Sequence, residues 1–252
     1  MENHDVFSRV NRLIGDESAE NIQRKRIILF GVGGVGSWCA ECLVRTGVMD
    51  ITIVDTDIVS VSNINRQLMA TTKTVGQVKV DALKTRLLDI NPNARINAVQ
   101  KLFTQENAKC FNLDSYDYII DAIDSLKDKA VLILEACKTG AVFFSSMGAA
   151  LKIDPTRIRV AEFWKVTGDP LARALRRKFK SQNIFPKRKF LCVFSDELLQ
   201  NKGETNENPD DNKLIQKAQI NGSLAHITAI FGCSLAGMVI KHINDSSLPS
   251  SR

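Results

Sequence analysis

RIILFGVGGVGSWCAECL, residues 26–43, sets a buried apolar run directly against a glycine-rich turn and then a helical pattern. Gly31, Gly33 and Gly36 satisfy GxGxxG. With that spacing a strand-to-helix turn presents backbone N–H groups to phosphate oxygens at a helix amino terminus. Gly34 adds one more small residue and allows closer approach. The motif by itself is also compatible with a tight turn that binds nothing. Asp55 ends the next apolar run, where an acid accepts hydrogen bonds from ribose hydroxyls.

Outward from the turn, apolar runs at 27–30, 51–55 and 96–99 alternate with helical patterns, the βαβ order of a parallel sheet. A helix is expected from Lys79 to Ile90, with Val80, Leu83 and Leu87 on one face and Asn91-Pro92 as its stop. YDYIIDAID (116–124) and AVFFSS (141–146) read as further buried strands. After about residue 150 the pattern changes. RIRVAEF (157–163) looks like an antiparallel or edge strand, and a basic helix follows from Pro170. The expected fold is therefore α/β: a Rossmann-like, mostly parallel sheet flanked by helices, with a C-terminal antiparallel extension. We expect one unit over residues 1–252, with a nucleotide-binding core at about 20–150 and a substrate-facing part at about 151–252. The polar, aromatic-free stretch at about 200–215 is expected as a mobile loop.

A hydrophobic fraction of 44% with 25% charged residues is that of an ordinary soluble globular protein. MENHDVFSRVNRLIG lacks the apolar run of a secretory signal, so the cytoplasm is the expected location. Residues 222–243 carry no formal charge before Lys241 and are nearly long enough to span a bilayer. A helix of this kind suits burial across a sheet face equally well, and that is the favoured reading over membrane association. Cys39 and Cys42 form a CxxC with no second pair to complete a zinc site, so no structural zinc is expected.

The net charge of +6 is concentrated. Arg173, Arg176, Arg177, Lys178, Lys180, Lys187, Arg188 and Lys189 lie close together, with Phe179, Phe185 and Phe190 interleaved. Cations in that arrangement suit nucleic-acid phosphates while aromatics stack on bases. A solvated helix face backed by core phenylalanines has the same composition.

Two further stretches bear on the chemistry: IVDTDIVSVSNINRQ (53–67) and VGQVKVDAL (75–83). A nicotinamide site gains nothing from Arg66 and Lys79 beside the phosphates. An enzyme that lets a carboxylate attack the α-phosphate of ATP needs cations to offset the charge on the triphosphate and the departing pyrophosphate.

With GVGGVGSW, DTDIVSVSNINRQ, VGQVKV and DAIDS in this order, the chain resembles the adenylating enzymes related to ubiquitin-activating enzyme, ThiF and MoeB. The resemblance implies ATP and Mg2+ as cofactors. It implies that Asp55 binds ribose and that Asp57 and Asn63 lie beside the nucleotide. Arg66 and Lys79 would contact the triphosphate, Asp124 would position magnesium, and Arg12 would be an arginine finger offered by the second subunit of a homodimer. YIIDAIDS, KIDPTRIRV, GDPLARALRRKFK and CVFS (192–195) are similar to the branch that dehydrates threonylcarbamoyladenosine in tRNA. ThiF and MoeB carry zinc-binding CxxC pairs in their second half, and this chain has none there. The branch implies a tRNA substrate and partnership with a cysteine desulfurase system. Cys192 is then a candidate nucleophile, although cysteine inside a strand is more often a packed small residue. The alternative function is activation of a ubiquitin-like sulfur carrier.

Overall fold

The computed structural model describes residues 6–203 and 221–247. The polar stretch expected as a mobile loop falls mostly outside them. Among the described residues, the helices are α1 (Ser8–Ile14), α2 (Asp16–Arg24), α3 (Gly36–Arg45), α4 (Lys79–Ile90), α5 (Leu126–Ala136), α6 (Pro170–Gln182) and α7 (Ala225–Ser247). The strands are β1 (Arg26–Phe30), β2 (Asp50–Asp55), β3 (Arg95–Gln100), β4 (Tyr118–Asp121), β5 (Val142–Ser146), β6 (Ile158–Glu162) and β7 (Leu191–Ser195).

These strands form one sheet in the order β3-β2-β1-β4-β5-β7-β6. Every pairing is parallel except β6 with β7. The RIRVAEF segment is thus the antiparallel edge strand its mixed composition suggests, and it continues the sheet directly. Ile27, Ile28 and Leu29 are each fully buried, as a parallel strand covered on both faces requires. On one face, Leu29 and Ile53 pack with Leu43, Leu83 and Phe231 from α3, α4 and α7. On the other, Phe30 and Phe143 pack with Leu132, Leu175 and Phe179 from α5 and α6. Each fully buried side chain of this size contributes roughly 1.5–3 kcal/mol.

The apolar carboxyl-terminal segment is long and apolar enough to cross a membrane by length and composition. Here it is α7, and it buries Ile227, Phe231, Leu235, Val239 and Ile243, one helical stripe, against α3 and the sheet. Gly232 lets the two helices cross closely, because a Cβ there would lie 2.4 Å from the carbonyl oxygen of Val35.

The strand order reverses between β1 and β4: β2 and β3 are laid down on one side of β1, and the chain then returns to place β4 and β5 on the other. In open α/β sheets the crevice outside the strand carboxyl ends at such a point is where ligands bind. Gly31, Asp55 and the Ala122–Asp124 segment all emerge there, at the carboxyl ends of β1, β2 and β4.

Candidate nucleotide site

Gly31 leaves β1 with φ +82, and a Cβ on it would lie 2.7 Å from the carbonyl oxygen of Ala122. Only glycine fits. Gly36 opens α3 so close to the turn that a Cβ would fall 1.8 Å from the oxygen of Gly31. Gly33 differs: the nearest protein atom to its would-be Cβ is the Gln67 amide nitrogen at 3.7 Å. The fold would accept a side chain there, so its absence leaves room at the mouth of the turn for a phosphate. Gly34 lies against Thr228 of α7 and the Arg66 side chain, whose carbons would be 3.1 and 3.3 Å from its Cβ.

The two residues after Gly36 clamp the next motif to the turn. Ser37 Oγ donates to the oxygen of Gly33 at 2.6 Å and accepts from the Leu68 N–H at 3.1 Å. Trp38 Nε1 donates to the carbonyl of Arg66 at 3.2 Å. The SW of GVGSW therefore brings Arg66 and Gln67 to the glycines. Gln67 is 5% exposed, and its Oε1 has no hydrogen-bond partner in the ligand-free protein. An amide buried without a partner costs free energy, and a nucleotide hydroxyl or amine arriving at the turn would relieve it. The sequence reading passed over Gln67, Ser37 and Trp38 as individual residues; their position beside the glycines within two motifs was the available signal.

Asp55 accepts the Val32 N–H on Oδ2 at 2.8 Å and the Asp57 N–H on Oδ1 at 2.9 Å. Each oxygen keeps a free lone pair, so the carboxylate is fixed yet able to accept ribose hydroxyls. Lys79 opens α4, is buried, and places Nζ 2.7 Å from Oδ2 of the exposed Asp57. Asn63 is buried too, and its Oδ1 accepts the Ser60 N–H at 3.0 Å in a capping box. Its placement fits a loop anchor beside the site. Arg66 Nη1 donates to the Ser62 carbonyl at 3.0 Å and to Asn65 Oδ1 at 2.8 Å. Asp124 is exposed, next to the Ser125 cap of α5.

Arg12 stands apart from this group. It is exposed on α1, whose neighbourhood includes Gly47 and Met49 just before β2. That is the amino-terminal edge of the sheet, about 16 Å of strand away from the turn. A chain does not deliver Arg12 to its own glycines.

The basic segment divides into free and engaged cations. Arg173, Arg177, Lys180, Lys187 and Lys189 are exposed, and Lys178 is half-buried. Arg176 Nη1 donates to the Phe163 carbonyl at 2.9 Å and its guanidinium lies over the Phe163 ring. Arg188 donates to the carbonyls of Ala136 and Ala141 and ties the loop before β7 to the sheet. Phe179 and Phe190 are core residues, so a stacking role for Phe179 is corrected: α6 turns it inward with Ala172 and Leu175. Phe185 is 46% exposed beside Trp164. Cys192 is fully buried in β7, and burial pushes its thiol well above the ordinary value. A neutral, enclosed thiol has no route to attack an acyl group, so the structure does not support it as a nucleophile.

The glycine turn, with Lys79 and Arg66 held beside it and carboxylates at Asp55 and Asp124, lies at the carboxyl ends of the strands, and the chain belongs to the ThiF family, whose profile matches residues 7–252. It is 39% identical over 237 residues to the tRNA threonylcarbamoyladenosine dehydratase of Bacillus subtilis, covering 93% of this chain and 92% of that protein. The crystal structure of the Escherichia coli dehydratase TcdA in complex with ATP superposes with a TM-score of 0.85 at 34% identity, over 96% of this chain and 95% of that one. The complex of the same protein with AMP gives a TM-score of 0.84 at 33% identity, again over 96% and 95%. Similarity to the sulfur carrier protein adenylyltransferase of Thermus thermophilus, 35% over 136 residues, reaches only 52% of this chain and 50% of that one.

Proposed function

We propose that this protein uses ATP to dehydrate threonylcarbamoyladenosine in tRNA, beside the anticodon. The observation that carries the reading is the glycine turn with Gln67 unpartnered and Gly33 open at its mouth, in a chain that matches tRNA threonylcarbamoyladenosine dehydratases over nearly its full length. The ATP and AMP complexes of TcdA support a nucleotide in the same crevice.

The threonyl carboxylate attacks the α-phosphorus of ATP, the bond to the β-phosphate oxygen breaks, and pyrophosphate leaves. The carbamoyl oxygen then attacks the activated acyl carbon, AMP departs with one carboxylate oxygen, and a urea proton goes to solvent. The ring closes with net loss of water. The second step is intramolecular, so no protein nucleophile is required. The turn amides hold phosphate oxygens, Asp55 holds ribose, and Arg66 and Lys79 offset charge on the leaving pyrophosphate. Magnesium, when bound, neutralises and orients the phosphates. Among the described residues no three His, Cys, Asp or Glu side chains cluster. Asp124 alone would supply the protein ligand, which suits an ion that takes one or two carboxylates with substrate phosphates.

Arg12 completes this site from a second subunit. Mixing Arg12→Ala and Asp124→Ala chains, each inactive alone, should restore part of the activity, and mixed dimers without recovery would remove the shared-site arrangement. The exposed cations of α6 and the following loop hold the tRNA, and the enzyme works in the cytoplasm. Sulfur-carrier activation is the weaker reading, since the similarity to such an enzyme spans about half of each chain. The decisive test is nucleoside mass analysis of threonylcarbamoyladenosine-bearing tRNA incubated with protein, ATP and magnesium. The modified adenosine should lose the mass of one water; an unchanged nucleoside alongside adenylation of a carrier protein would favour the alternative.

A further inference from the structure

The floor of the crevice contains two charges that the proposed chemistry does not use. Asp121 ends β4 and Lys129 lies one turn into α5; both side chains are fully buried, and they pair at 2.7 Å. A buried ion pair recovers its desolvation cost only when the remaining donors and acceptors are also satisfied. Here they serve a single short segment. Lys129 Nζ donates to the Ile123 carbonyl at 2.8 Å, and Asp121 Oδ1 accepts the Ile123 N–H at 3.0 Å. Ser145 Oγ, from the neighbouring strand β5, donates to Asp121 Oδ2 at 2.7 Å.

Both backbone polar groups of Ile123 are therefore held by the pair, and Ala122–Asp124 cannot turn without breaking it. That segment does two things at once. Its Ala122 carbonyl is the surface on which Gly31 sits, and the exposed Asp124 stands at its end. An apolar side chain in place of Lys129 would fill the same volume, so packing alone does not account for a buried ammonium.

We propose that Lys129 is a positioning residue for the nucleotide site, acting through Asp121 and the Ile123 peptide to set both the seat of Gly31 and the direction of the Asp124 carboxylate. The proposal rests on the reading of the turn and Asp124 as a site for ATP with magnesium.

The test reads binding without turnover: the melting temperature of the tRNA-free protein at fixed ATP, followed as magnesium is added. A ligand selective for the native state raises that temperature by mass action. Replacing both charges at once, Asp121→Asn with Lys129→Met, leaves no uncompensated charge in the core. In that variant the magnesium concentration giving half the stabilisation should rise about tenfold or more, the scale for losing a group that orients a metal-binding carboxylate. Ser145→Ala, which deletes one hydrogen bond to Asp121, should raise it by about threefold. A purely structural pair would lower the melting temperature of the nucleotide-free protein and leave the half-effect concentration unchanged; that result overturns the proposal. If the paired variant does not fold, Ser145→Ala decides by the same criterion. A parent protein whose melting temperature ignores ATP would instead overturn the nucleotide reading, and this proposal with it.

Discussion

The crevice at the carboxyl ends of β1, β2 and β4 and the outer face of α6 are both rich in charge, and they are held in opposite ways. In the crevice these charged groups are held by partners within the fold: Asp55 by two backbone amides, Lys79 by the Asp57 carboxylate, Arg66 by the Ser62 carbonyl. Along α6 and its following loop most cations reach into solvent, and only Arg176 and Arg188 are bound to carbonyls of the fold. A preorganised charge loses little freedom when the transition state forms, so each one matters to the rate. A mobile surface charge acts with its neighbours through the summed field and contributes to affinity in small increments. The two regions should therefore respond differently to substitution: steeply and in turnover for the first, gradually and with salt for the second.

The largest effect is expected at Lys79. Removing its ammonium leaves the triphosphate with one fixed cation fewer, which costs on the order of 3 kcal/mol of barrier, or roughly a hundredfold or more in turnover. Affinity for tRNA should stay within twofold, about the scatter expected of a site remote from the contact. Steady-state rates and a filter-binding isotherm on Lys79→Ala measure both. Turnover within a few-fold of the parent would break the distinction on the crevice side and take Lys79 out of the site.

How much of this contrast the chain reveals before folding depends on what each residue contacts. Periodicity exposes the strand Arg26–Phe30 and the helix Lys79–Ile90, because burial repeats along the chain. The spacing of Ala172, Leu175 and Phe179 marks an inward stripe of α6 in the same way, and it identifies Phe179 as core more reliably than its basic neighbours suggest. Arg188 offers no such signal: in PKRKF it is indistinguishable from Lys187 and Lys189, and only the approach of Ala136 and Ala141 makes it a brace. Lys129 is equally opaque, since LKDKAV reads as the exposed first turn of a helix while the ammonium points into the floor of the crevice. Residues whose partners are distant backbone carbonyls were those the sequence left unseparated.

On the α6 side, Arg173, Arg177 and Lys180 are exposed on the same helix, whereas Arg176 is held by the Phe163 carbonyl. Changing all three to alanine should weaken tRNA binding by about tenfold or more at moderate salt and lower the slope of log affinity against log salt by roughly 0.7–0.9 per lost phosphate contact. ATP-induced stabilisation should be unchanged, because the turn lies on other elements. The same affinity and the same slope as the parent would show that α6 is only solvated. Arg188→Ala is the internal contrast: it should lower the melting temperature through the loss of its two carbonyl contacts while changing the salt slope less than any of the exposed cations.

The smallest effect belongs to the aromatic pair at the far end of this surface. Phe185 is 46% exposed, with its ring centroid 6.1 Å from that of Trp164, itself 37% exposed. The pair lies at the amino-terminal edge of the sheet, near the point where Arg188 meets Ala141. α6 has 13 residues, about 20 Å of helix, between the crevice edge and this end. A contact there cannot touch the reacting adenosine and can only hold a distant part of the tRNA. Stacking of a base on an aromatic side chain contributes about 1–3 kcal/mol, and a half-covered ring belongs near 1 kcal/mol, a loss of roughly fivefold in affinity. Because stacking releases no counterions, Phe185→Ala should shift the binding curve without altering its salt slope, the reverse of the α6 variant. Fluorescence provides a second measure: quenching of Trp164 on tRNA addition should vanish in Trp164→Phe while the signal of Trp38, half-buried against the Arg66 carbonyl, remains responsive to ATP. A Phe185→Ala protein with parental affinity, in which tRNA leaves Trp164 emission unchanged, would confine the tRNA surface to the cations of α6.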